Sequence, residues 1–147
     1  MTDPHPIDAT DAQLAVLQRL LSSTTETHAW FDEIAERAEP GFRHVAVKFR
    51  GLHVEQRDRI AAIITAVGGT PEASGGLRAS INRSSVSLRA LFEEIDGDMM
   101  RSVEDAEAEL LAEFDAALSA LGPSRYREEL EQMKGELVAL LSEELET

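Results

Sequence analysis

Residues 98–121 read DMMRSVEDAEAELLAEFDAALSAL, and this stretch decides the fold class. Apolar residues recur in it at steps of three and four, as they do along one face of an α-helix. Glu107 falls on the same face, which consists of Met100, Val103, Glu107, Leu110, Phe114, Ala117 and Leu121. The stretch therefore predicts an amphipathic helix that buries one stripe against other helices.

Three further stretches, 9–39, 41–67 and 125–145, show the same spacing, and no segment alternates with the period of two that marks a strand. Their stripes begin with Leu14, Leu17, Leu21 and Thr24, with Phe42, Ala46, Phe49 and His53, and with Tyr126, Leu130, Met133 and Leu137. Four helices of ~20–30 residues, each with one stripe, face a shared axis. The fold prediction is an all-α four-helix bundle.

The connections between these helices are short, long and short. Pro40-Gly41 and Gly122-Pro123 are brief breaks, whereas about thirty residues separate the second helix from the third. One long central connection is the ferritin-like topology, because a simple up-and-down bundle has three short loops. Residues 77–95 carry a shorter apolar pattern, which predicts a partly helical crossover. We expect a flexible N-terminal tail over 1–8 and a single domain over 9–147.

Composition limits the possible functions. The 147 residues include 28 Asp and Glu against 14 Lys and Arg, a formal net charge of -14, and no Cys. Nucleic-acid binding needs a basic surface, so we do not expect this acidic chain to bind nucleic acid. The lack of Cys removes thiolate metal sites, disulfides and thiol nucleophiles. The N-terminal residues 1–6 have neither the basic start nor the apolar run of a signal peptide. The longest apolar stretch, near Ile60–Val67, is far shorter than the ~20 residues of a membrane span, so we expect a cytoplasmic protein without a membrane partner.

Polar residues interrupt the stripes near the midpoints of three helices. They are His28 in the first, His53 and Gln56 in the second, and Glu107 in the third, with Glu104 three residues earlier on a shared face. They would form either a hydrogen-bonded layer that sets the register of the helices or a reduced site for one divalent ion, iron or zinc. The metal ligands would then be His28, His53, Glu104 and Glu107. None of the four His follows a carboxylate by three residues, so the Glu-x-x-His pairs of a di-iron site are missing.

A second apolar stripe runs along the first helix and includes Leu20, Trp30 and Ile34. A helix that is apolar on two adjacent faces needs a second partner. The crossover could cover this stripe, or Trp30, Leu20 and Ile34 could anchor a dimer interface. Both interpretations stay open at the level of sequence.

The charge is uneven along the chain. Residues 41–89 hold eight basic and three acidic side chains, a net of +5, which leaves -19 for the remainder. The basic segment could pair with the acidic third and fourth helices inside one fold. It could also form a basic patch for an acidic partner.

The chain resembles the uncharacterised ferritin-like four-helix proteins catalogued as domain of unknown function family 2383. The resemblance covers roughly 14–141. It rests on Leu20-Leu21, Glu26, Phe31-Asp32-Glu33, Ala35-Glu36, Gln56-Arg57, Val67-Gly68-Gly69-Thr70-Pro71, Glu104-Asp105-Ala106-Glu107, Phe114 and Ala117-Leu118. Thr27 and His28 depart from an acid-Gly-Glu step that family members have there, and the fourth helix lacks a His that many members carry. The resemblance implies a ferritin-like bundle with a long crossover and, at family level, a role in stress physiology, but no activity.

Two functions follow as expectations. The first is a non-catalytic bundle protein that acts through self-association, as a homo-oligomer such as a dimer, or through another protein partner. The second is a metal-binding ferritin relative with a reduced site at the bundle midpoint. The sequence has no Gly-x-Ser-x-Gly elbow, Gly-x-Gly-x-x-Gly fingerprint or Walker pattern, so the common hydrolase and nucleotide motifs give no support for an enzyme.

Overall fold

The computed structural model describes residues 9–72 and 99–145, and within them it has four helices and no strand. We name the helices α1 (Asp11–Arg37), α2 (Pro40–Ala66), α3 (Met99–Ala120) and α4 (Arg125–Leu145). The all-α prediction is confirmed, and the bounds differ from the sequence prediction by only a residue or two. The predicted tail over 1–8 and the predicted partly helical crossover fall mainly on residues outside the described ranges.

Local sequence signals explain where α1 and α2 begin. Thr10 caps α1, since its hydroxyl accepts a hydrogen bond from the Gln13 backbone N–H at 3.1 Å. The Gln13 side chain in turn accepts from the Thr10 backbone N–H at 2.9 Å, which completes a capping box. Pro40 opens α2, where its missing N–H would have no partner within the helix.

Each helix packs chiefly against two neighbours. α1 contacts α2 and α3, and α4 also contacts α2 and α3. In cross-section the four helices therefore form a square, with α1 opposite α4 and α2 opposite α3. The α2–α3 diagonal crosses the centre of the bundle.

Contacts along α1 give the directions of the helices. Near the start of α1, Gln13 donates to the carbonyl of Ala120 at the end of α3. Near the other end of α1, Asp32 pairs with Arg50 in the first half of α2. α1 is therefore antiparallel to both neighbours, so α2 and α3 run parallel. The last described residue after α2 and the first residue of α3 consequently lie near opposite ends of the bundle.

The core fills the space between the four helices. Its largest fully buried side chains include Phe31, Phe49 and Phe114, and the rings of Phe31 and Phe49 stack with centroids 5.1 Å apart. Complete burial of such a side chain contributes roughly 1.5–3 kcal/mol relative to exposure. Within 9–72 and 99–145, none of the helices combines the length and the apolar character that a membrane crossing needs.

Basic side chains of α2 are engaged inside the chain. Arg50 lies 3.3 Å from Asp32 on α1, Lys48 lies 3.2 Å from Glu144 on α4, and Arg59 lies 3.0 Å from Glu136 on α4. For α2, these contacts favour attraction within one fold over a free basic patch.

Candidate functional site

A histidine and a glutamate meet at the centre of the bundle. Nε2 of His53 on α2 lies 2.7 Å from Oε1 of Glu107 on α3, and both side chains are 0% exposed. The imidazole ring also stacks on Phe31, with centroids 5.5 Å apart, and lies near Phe49. The contact thus joins the diagonally opposed helices α2 and α3 beside two Phe rings. In such a buried environment a hydrogen bond is stronger than in water.

Gln56 extends this polar centre to α4. It follows His53 by three residues, so the two share one face of α2. Its side-chain amide donates to the Met133 carbonyl at 2.9 Å and lies 3.3 Å from a carboxylate oxygen of Glu136. Together with the His53–Glu107 contact, Gln56 links α2, α3 and α4 through the core. Its position on the α2 stripe was the sequence signal, but its partner could not be read from the sequence.

Three buried atoms of this centre have no hydrogen-bond partner. They are Nδ1 of His53, Oε2 of Glu107 and Oε1 of Gln56. An unsatisfied buried polar atom costs about 1–3 kcal/mol, so such an atom calls for a physical explanation. All three can act as acceptors when His53 carries its proton on Nε2. An acceptor is also a group that can ligate a cation.

His28 lies level with the pair along the bundle axis. It sits on α1 between Ser23, which contacts Glu113 on α3, and Asp32, which contacts Arg50 on α2. Unlike His53 it is only partly buried. Burial lowers the pKa of His28 below its usual 6.5, and the nearby Arg57 guanidinium lowers it further.

The structure places the four predicted metal ligands in three different environments. His53 and Glu107 are in contact, and His28 is at their level on α1. Glu104, one turn before Glu107, is exposed on the surface of α3. Among the residues that the structure describes, no three His, Asp or Glu side chains are grouped closely enough to hold a metal ion.

The three predicted interface residues lie in the core of the chain itself. Leu20 and Ile34 are fully buried, and Trp30 is 8% exposed, with its ring edge-on to Phe31 at 4.9 Å between centroids. They therefore form no exposed apolar face on α1. The proposed cover by the crossover falls on residues outside the described ranges.

Two exposed valines were not singled out in the sequence. Val47 on α2 and Val138 on α4 are each 41% exposed. Both lie off the apolar stripes of their helices, and this position was the available signal that they face outward.

Comparison with known proteins gives one result. A family model described as a domain of unknown function (DUF2383) matches residues 12–120, which span α1, α2 and α3. Neither a curated protein nor a solved structure matches the chain.

Proposed function

We propose a function for this chain, which belongs to the family described as a domain of unknown function (DUF2383). It is a non-catalytic helical-bundle protein that acts by association with a protein chain, in the first place with a second copy of itself. The observation that carries the proposal is the complete burial of the His53–Glu107 pair.

Burial gives this pair a structural role. General acid–base catalysis needs a side chain within hydrogen-bond reach of a substrate. A pair that is 0% exposed and stacked on Phe31 is out of reach of any substrate larger than a water molecule or a small ion. The pair instead fixes the positions of α2 and α3 relative to each other along the bundle axis, as buried polar contacts do in other helical assemblies. With the polar centre buried, the surface of the bundle is the part that a partner could contact, which is the association we propose.

The test is the mass of the protein in solution. Sedimentation and light scattering should give a mass above the 16.1 kDa of one chain at micromolar concentration, and the mass should rise with concentration. A constant 16.1 kDa across the concentration range would contradict self-association.

The unpartnered atoms of the polar centre favour a second candidate function, which is the binding of one divalent ion. Two ligand atoms that each lie about 2.1 Å from one zinc ion are about 3.4 Å apart at the tetrahedral angle. His53 Nε2 and Glu107 Oε1 lie 2.7 Å apart in contact with each other, so an ion held by these two atoms would replace their hydrogen bond. His28, at the same level, and the unpartnered Oε1 of Gln56 would be further ligands.

This candidate is tested by titration of Zn(II) and Fe(II) into protein purified without an affinity tag. Glu107→Ala and His28→Ala should each abolish binding measured by calorimetry. Glu104→Ala, which changes an exposed carboxylate one turn away, is the matched control and should bind as the wild type does. Unchanged binding in both Glu107→Ala and His28→Ala would end the metal hypothesis.

A further inference from the structure

We infer that a small oxyanion of the phosphate type binds at the surface where α1 meets α2, on the guanidinium of Arg57 and the imidazole of His28. This location is separate from the buried polar centre, and the inference does not depend on the proposed self-association. We call it the α1–α2 seam site and define it by Arg50 and Arg57 on α2 and by Thr25, His28 and Asp32 on α1.

The contact between Arg50 and Asp32 sets the register of the two helices. Arg50 Nη1 lies 3.3 Å from Asp32 Oδ1, and α1 and α2 are antiparallel. Arg57 follows Arg50 by seven residues, or about two turns, so it is level with Thr25, which precedes Asp32 by seven. His28 lies between these two levels on α1. Along the seam, the imidazole is therefore placed between two guanidinium groups.

Arg57 differs from the other basic residues of α2 in its partners. Each of the other four has an acceptor outside the helix: Arg43 at the Ala38 carbonyl, Lys48 at Glu144, Arg50 at Asp32 and Arg59 at Glu136. The charge that lies against Arg57 is that of Asp58, the next residue along the chain. Its Oδ1 is 3.5 Å from Arg57 Nε, which is longer than a typical hydrogen bond.

The side of α1 that is level with Arg57 offers no carboxylate, because residues 12–25 contain neither Asp nor Glu. Within the part of the chain that the structure describes, the two Nη groups of Arg57 therefore lack an acidic partner on another helix. The side chain of Arg57 is 32% exposed, so these groups can be reached from solvent. A chain with 28 acidic and 14 basic residues thus leaves one guanidinium available to a ligand.

The surroundings of His28 favour an anion. Burial lowers the pKa of His28, the Arg57 guanidinium lowers it further, and Arg50 acts in the same direction against the Asp32 carboxylate. Burial disfavours a charge of either sign, but nearby guanidinium groups disfavour a cation specifically. The same groups therefore stabilise an anion beside His28, although the chain as a whole is acidic.

The donors at the seam site match a tetrahedral oxyanion. The planar guanidinium of Arg57 offers paired N–H groups that fit two oxygens of one phosphate. The neutral imidazole of His28 carries one further N–H donor, which suits a third oxygen. A carboxylate has two oxygens and cannot satisfy all of these donors at once. The chemistry of the site thus selects phosphate over a carboxylate ligand.

Titration of inorganic phosphate into the full chain tests the inference. Calorimetry at constant ionic strength should show one phosphate per chain, and Arg57→Gln should raise the dissociation constant at least tenfold. Arg19→Gln removes the same charge from an exposed arginine of α1 outside the seam site, so it is the matched control and should leave the dissociation constant unchanged. Circular dichroism verifies that both variants keep the helical fold.

Asp58→Asn provides a second test, in which affinity should increase. It removes the carboxylate nearest to Arg57 at a position that is 74% exposed, so the fold is retained. The dissociation constant for phosphate should fall about two- to fivefold, the range expected for loss of one exposed competing pair. Asp115→Asn removes the same charge from the surface of α3 and should leave the dissociation constant unchanged. A purely structural role of Arg57 would not produce this gain.

Three outcomes would overturn the inference. One is the absence of binding to the wild type up to about 10 mM phosphate. Another is equal weakening in Arg57→Gln and Arg19→Gln, which would show that phosphate responds to net charge rather than to the seam site. The third is an unchanged dissociation constant in Asp58→Asn, which decides the matter if Arg57→Gln fails to fold.

Discussion

Nε2 of His53 and Oε1 of Glu107 lie 2.7 Å apart and connect the two helices that face each other across the diagonal of the bundle. α2 and α3 each pack chiefly against α1 and α4, so this contact joins elements that the neighbouring interfaces leave apart. Because both side chains are 0% exposed, the contact also fixes the position of one helix relative to the other along the bundle axis. A shift of either helix by one turn would leave both polar groups buried without each other.

Replacement of one residue of the pair should lower the free energy of unfolding strongly, whereas replacement of both should lower it much less. Glu107→Leu leaves a buried imidazole without its partner, and His53→Leu leaves a buried carboxylate, so each should lower the free energy of unfolding by about 3–5 kcal/mol. The double variant His53→Leu/Glu107→Leu should recover most of this loss, because two apolar side chains of similar volume need no partner. Urea denaturation of the four proteins in a double-mutant cycle measures the coupling. Single variants within 0.5 kcal/mol of the wild type would contradict a cross-core role.

The helices and the buried face of each could be predicted from the sequence, since both follow from local spacing. The stripe over 41–67 already contained His53 and Gln56, and the stripe over 98–121 contained Glu107. The contact between His53 and Glu107 could not be predicted, because it depends on the relative levels of two helices that lie far apart along the chain. Glu104 shows the limit of predictions from spacing. It precedes Glu107 by three residues, yet its side chain lies far enough around α3 to be exposed.

The stripe through Trp30 shows a different limit. The sequence indicated correctly that this face of α1 is too apolar to stay in water, and the structure buries Leu20, Ile34 and most of Trp30. Periodicity shows that a face needs cover but does not show what covers it. The exposed valines are the converse case, because Val47 and Val138 stand off the stripes, so spacing indicates that they face outward but not what lies beside them.

Gly69→Ala should destabilise the fold through steric conflict. The added Cβ would lie 2.6 Å from Leu14 Cδ2 and 3.0 Å from Ile64 Cγ2, so side chains at the α1–α2 seam must move. We expect a loss of about 1–3 kcal/mol in the free energy of unfolding, as for other overpacked sites. Gly41→Ala, where the new Cβ meets nothing within 4 Å, is the control and should be neutral or slightly stabilising. Equal stabilities of the two variants by thermal and urea unfolding would show that the close approach at Gly69 is absent.

His28 should make the fold less stable in mildly acidic solution. Burial and then the Arg57 guanidinium lower its pKa below 6.5, the Asp32 carboxylate opposes this, and the Arg50 guanidinium adds to the lowering. The unfolded chain therefore binds a proton at His28 more readily than the folded chain, and the free energy of unfolding falls as pH drops through 6.5 toward the lowered pKa. His28→Gln should flatten the stability profile over this window. His44→Gln, at an exposed position on α2, should keep the wild-type slope, and an unchanged slope in His28→Gln would contradict the prediction.

Arg59 should hold α4 to α2 through an electrostatic network whose contribution depends on salt. Its guanidinium lies 3.0 Å from Glu136, 3.4 Å from Glu129 and 3.6 Å from Glu55. Partly exposed pairs contribute about 0–1 kcal/mol each, so Arg59→Met should lower the free energy of unfolding by about 1 kcal/mol at low ionic strength. In 1 M salt the screening length is about 3 Å, so the difference from the wild type should shrink to a fraction of that value.

Arg37→Met is the comparison for the Arg59 prediction, because it removes an i,i+4 contact with Glu33 within α1. Such a pair stabilises a helix by about 0.3–0.5 kcal/mol. Its loss should be the smaller of the two in urea unfolding at low salt, because Arg59 faces three carboxylates and joins two helices. If Arg37→Met costs as much as Arg59→Met, or if the Arg59→Met effect does not change with salt, Arg59 contributes through packing of its stem rather than through charge.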